Sequence, residues 1–63
     1  MTNQEHITAL QTFIAAGDIA GMARMIEALR DQWNSLQELQ QAEVLKLEAI
    51  FLSLVKLRAE GGR

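Results

Sequence analysis

The sequence predicts an all-α fold: a short helix and a long helix folded as a hairpin, two copies of which make a four-helix, coiled-coil-like homodimer. Three observations predict it. Apolar side chains recur at helical spacing along nearly the whole chain, and no proline interrupts them. The 63 residues include no cysteine, so neither disulfides nor thiolate metal sites can staple the fold. A chain of this size buries only about 60% of its unfolded surface by itself. Oligomerisation is therefore the expected missing stabiliser.

The first helix is expected over residues 3–16. Thr2 or Asn3 can cap it, and Glu5 follows Thr2 at capping-box spacing. Ile7, Leu10, Phe13 and Ile14 then form one apolar stripe. Ala15-Ala16-Gly17 closes the helix, with Gly17 as a left-handed cap, and Asp18 can cap the next helix at once. So short a connection folds the two helices back as a hairpin. Gly17 and Gly21, four residues apart, read as turn and close-packing positions.

The second helix is expected to run unbroken over residues 18–60, roughly 60 Å at the α-helical rise, with residues 61–63 as a tail. Met22, Ile26, Leu29, Trp33, Leu36, Gln40, Glu43, Leu47, Ile50, Leu54 and Leu57 follow a strict four-three spacing, and nine of the eleven are apolar. That is the pattern of a left-handed coiled-coil seam. The alternative is a break at residues 34–35, where Ser35 and Glu38 have capping-box spacing.

Gln40 and Glu43 interrupt the seam near the middle of the long helix. An antiparallel two-fold dimer would place its axis close to Gln40, so that amides from both chains fix the register. Trp33 would then approach the partner's Leu47 region, and Ile26 its Leu54 region. The expected dimer interface is Ile26, Leu29, Trp33, Leu36, Gln40, Leu47, Ile50, Leu54 and Leu57. Beyond Leu45 the helix is also apolar on its back, through Leu45, Ala49, Leu52, Val55 and Ala59, with Phe51 on the flank. A helix apolar nearly all round must be covered. The chain's own first helix would lie too far away, beside residues 19–33, leaving the partner's first helix as the cover.

Composition narrows the function. Six basic against eight acidic residues give a net charge of −2, the wrong sign for a protein held on nucleic-acid phosphates. Arg24 and Arg30 are interleaved with Glu27 and Asp31, and Lys46, Lys56 and Arg58 with Glu43, Glu48 and Glu60. The chain opens with no basic segment followed by an apolar one, and Ala49–Val55 is far short of the ~20 residues of a membrane span. Cytoplasmic residence is the default. His6 is the only histidine, and no nucleophile–base set can be assembled around it. Its plainest reading is a solvated surface residue. Neither an enzyme nor a cofactor is expected.

Protein binding fits these residues better. A small helical dimer lacking a pocket acts by docking an exposed helix face on another protein. The outer side of the second helix offers Arg24, Met25 and Ala28, residue types that include the interface-enriched Arg and Met. Glu27 and Asp31, with Glu38, supply acidic complementarity to a basic partner surface.

From Met1-Thr2-Asn3-Gln4-Glu5-His6 through Ala15-Ala16-Gly17-Asp18 to the Leu-rich C-terminal helix, the chain resembles the small quorum-sensing anti-activators encoded by temperate phages. The resemblance implies a protein that binds and silences a LuxR-type transcriptional regulator in the bacterial host, and that also binds a pilus-assembly ATPase. It assigns no binding residues. The expectation is thus a homodimeric inhibitor working by stoichiometric occlusion. The alternatives are an RNA-binding two-helix dimer and a small helical export or assembly chaperone.

Overall fold

The structure, a computed structural model, describes residues 2–61. These residues form three α-helices, with no strand among them: α1 (Asn3–Ala16), α2 (Ile19–Asp31) and α3 (Glu38–Gly61). A single 3-10 turn, Trp33–Ser35, joins α2 to α3.

Local chemistry sets the first hairpin. The Thr2 hydroxyl accepts from the Glu5 amide at 3.1 Å, and the Glu5 carboxylate accepts from the Thr2 amide at 2.9 Å. Two orphan donors at the start of α1 are thereby satisfied reciprocally. The backbone and hydroxyl bonds from Thr2 hold the Glu5 carboxyl below its ordinary range. Gly17 ends α1 at φ 73°, a left-handed conformation in which a Cβ is strained. Asp18 caps α2 by accepting from the Gly21 amide at 3.0 Å. At Gly21 itself, a Cβ would stand 2.7 Å from the Phe13 ring. The absent side chain is what lets α1 and α2 approach there.

The unbroken helix expected over residues 18–60 is not formed. After Asp31 the chain takes one 3-10 turn, and Leu36 is extended at φ −76°, ψ 140° before α3 begins. The break at 34–35 is therefore present, but the capping box expected there is not. Ser35 donates to the Gln32 carbonyl at 2.7 Å and accepts from the Asn3 amide group at 3.1 Å. The start of α3 is served two residues later, where the Gln40 side chain accepts from the Gln37 amide at 3.0 Å. Asn and Ser side chains compete locally for backbone groups, which favours a turn over continued helix.

The larger cause is packing. Leu36, Val44 and Leu47 fold back onto Ile7 and Leu10 of α1 and Met22, Ile26 and Leu29 of α2, and these eight make up the buried core. Phe13, Ile14, Ile19, Met25, Trp33, Phe51 and Leu54 pack around it, half-buried. At about 1.5–3 kcal/mol for each large side chain removed from water, folding back gains more than the few lost helical hydrogen bonds cost. The four-three spacing is satisfied within one chain, because a helix bundle and a coiled coil bury the same positions.

Polar contacts tie α3 to both earlier helices. Gln11 donates to Glu43 at 3.0 Å, Gln40 to Gln4 at 3.5 Å, and the Arg30 guanidinium grips the Glu48 carboxylate at 2.6–2.8 Å. Thus the first helix lies beside the first part of α3 as well as beside α2, while the apolar back beyond Leu45 stays uncovered. Arg30–Glu48 lies at the surface, where such a pair is worth about 1 kcal/mol or less.

The molecule extends 40 × 17 × 17 Å. The 24 residues of α3 span about 36 Å, against about 20 Å for each hairpin helix, so α3 sets the long dimension. Its buried residues stop at Leu47, and its half-buried ones stop at Leu54. Gly61 is the last residue of α3; of the expected tail, residues 62–63 lie outside the described residues.

Candidate interaction surface

Cover runs out along α3 before its apolar side chains do. Between Ile50 and Leu57 only Ser53 and Lys56 are polar. At about 100° per residue those two fall on a narrow wedge with Lys46 and Glu60, and apolar residues take the rest of the circumference. Leu45 is 54% exposed, Leu52 58% and Leu57 63%, while Ile50 and Val55 are each 37% exposed. Phe51 and Leu54, on the remaining side, are half-covered by the core.

The exposed residues fall into two stripes. Ile50 and Leu57 lie on one side, continuous with half-buried Leu54. Leu45 and Leu52 lie on the opposite side, with Val55 between them and the core. The Leu45 side adjoins a shallow cleft of about 250 Å³ lined by Arg30, Trp33, Val44, Leu45 and Glu48. Its apolar floor and walls carry one ion pair at the edge, a form suited to a side chain from another protein.

The residues expected at a dimer interface divide sharply. Ile26, Leu29, Leu36 and Leu47 are buried in the chain's own core. Trp33 is half-buried against that core, and its carbonyl accepts from the Gln41 side chain at 3.0 Å. Gln40 is engaged at the start of α3 and with Gln4. Ile50 and Leu57 stand free, with Leu54 half-covered.

Of the residues expected to meet a partner protein, Arg24, Glu27 and Asp31 are exposed on α2. Met25 is half-buried against the core and Ala28 half-buried, so neither is an outward anchor. Two features escaped sequence reasoning. Leu39, 84% exposed, lies one residue into α3 and off the four-three pattern. The Arg30–Glu48 clamp joins residues 18 apart, a pairing visible only once α3 folds back.

His6 is half-buried rather than solvated, and its Nδ1 is shielded without a protein hydrogen-bond partner. Among the described residues no three His, Asp or Glu side chains converge as a metal site, and no helix is long and apolar enough to cross a membrane. No family model matches the sequence, and comparisons with curated proteins and with solved structures found no match.

Proposed function

We propose that this chain is a small helical interaction protein that self-associates and inhibits another protein by covering part of its surface. The observation that carries the reading is the C-terminal half of α3, apolar on two opposite sides and left uncovered by its own bundle. In a molecule of 63 residues such a surface has a cost in solubility unless something binds it. Two uncovered stripes provide for two kinds of contact, one with a second copy and one with a target.

The target side is the Leu45–Leu52 stripe with the adjoining Trp33 cleft. The exposed acidic residues Glu27, Asp31 and Glu38 favour a target with a basic face, such as the DNA-binding surface of a transcription regulator. A LuxR-type regulator in the bacterial cytoplasm is the first candidate on the strength of the resemblance, and a pilus-assembly ATPase the second. Inhibition would be stoichiometric, with no turnover.

The test mixes the protein with a purified LuxR-type regulator on its operator DNA, then repeats the titration with Leu52→Glu. The reading expects DNA release near one equivalent for the native protein, and its loss in a Leu52→Glu variant of unchanged helicity. A parallel pull-down from host lysate, with and without nuclease, tests the RNA alternative. RNA recovered without nuclease, and no protein with it, overturns the inhibitor reading.

A further inference from the structure

We propose that a second copy of this chain covers the Ile50–Leu57 stripe by pairing antiparallel along α3, with the two-fold axis at Ser53. This deepens the self-association part of the proposed function and rests on it, while moving the axis from Gln40 to a part of α3 that is free.

The charges beside the stripe select both direction and register. Lys46 and Glu60 lie on one edge of α3, each seven residues from Ser53. In an antiparallel pair centred on Ser53, Lys46 of each copy therefore stands level with Glu60 of the other, and Ser53 meets its own counterpart. A parallel pairing sets Lys46 level with Lys46 and Glu60 level with Glu60, with no such match. Opposite charges beside an apolar seam fix partner orientation in helix pairs.

Shape agrees with charge. Ile50 and Leu54 of one copy interleave with Leu54 and Ile50 of the other, the smaller Ser53 sits where the two edges come closest, and Leu57 is drawn in from solvent. Residues before Lys46 in each copy run out past Glu60 of the other. The fully buried part of α3, which ends at Leu47 in each copy, therefore lies toward opposite ends of the pair. The Leu45–Leu52 stripe, on the far side of α3, stays open for the target.

The absence of cysteine makes the test clean. Ser53→Cys is oxidised mildly and run on a non-reducing gel beside Gln40→Cys. Sedimentation then compares the native chain with Lys46→Glu, Glu60→Lys and the double swap, each checked for helicity by circular dichroism. The proposal expects a disulfide-linked dimer for Ser53→Cys and none for Gln40→Cys. It also expects dimerisation weakened about tenfold by either single reversal, where two exposed pairs become repulsive, and restored by the double swap. A native dimer that crosslinks at Gln40 but not Ser53, or that ignores the charge reversals, overturns this register while leaving self-association standing. A native chain that stays monomeric at every concentration overturns both.

Discussion

Residues 2–47 are less rich in apolar side chains than residues 48–61, yet the first region buries most of its large ones and the second fully buries none. In the first, three helical segments and one extended residue surround a common centre, and Ile7, Leu10, Met22, Leu29 and Val44 are all but inaccessible. In the second, one helix runs on past its neighbours, with only Phe51 and Leu54 half-covered by the core. Hydrophobic content therefore says how much surface needs covering, and only the number of neighbouring elements says whether the chain covers it by itself. The uncovered end is the part with a reason to meet another molecule.

That contrast can be broken most directly by matched truncations. Leu29→Ala, in the covered region, should cost about 2–5 kcal/mol of folding stability, enough to unfold much of so small a domain. Leu57→Ala, in the uncovered region, should change the stability of the monomer by no more than about 0.5 kcal/mol while weakening self-association. Chemical denaturation at low protein concentration, alongside sedimentation, reads the two effects separately. Equal losses in both variants would mean that the regions are not distinct.

A smaller effect comes from the turn that brings α1 and α2 together. Gly17→Ala places a Cβ on a residue at φ 73° and should destabilise by about 1–2 kcal/mol, seen as a lower thermal midpoint. The space around Gly17 is open, so the loss is one of backbone strain, and Gly17→Asn should recover part of it. Should Gly17→Ala leave the midpoint unchanged, the left-handed cap does not set the hairpin.

The smallest effect is at the start of α1. The Glu5 carboxyl is held below its ordinary range by its bonds with Thr2. A carboxyl with a lowered folded-state pKa contributes stability above its unfolded value, and that contribution disappears as pH falls through the folded value. Helicity of the native chain should therefore decline slightly on acidification through the carboxylate range, and Glu5→Gln should remove that part of the decline. Identical pH profiles for the two proteins would exclude a role for the Glu5 charge in the cap.

The limits of α1 were legible because the signals are local. Thr2 with Glu5, Gly17 and Asp18 each act within four residues, and no distant contact is needed to read them. The break after Asp31 was legible only as an alternative, because Asn34 and Ser35 permit a turn without requiring one. The capping pair was displaced from Ser35–Glu38 to Gln37–Gln40, since Ser35 is drawn to Gln32 and Asn3 instead. Gln40, polar within an apolar pattern, looked like a register-setting residue between chains. Within one chain its side chain accepts at the start of its own helix and donates to Gln4 of α1.

By itself the sequence determined that the chain is helical, where the first helix begins and ends, and which side chains require cover, because propensity, capping and periodicity are properties of neighbouring residues. Only the tertiary structure decided which cover they receive. The spacing that predicts a seam is the same whether the opposing helix belongs to this chain or to another. Folding α3 back onto the hairpin assigned Leu36, Val44 and Leu47 to the chain's own core and left Ile50, Leu52, Val55 and Leu57 exposed. The reason is reach: two helices of about 20 Å cannot cover one of about 36 Å.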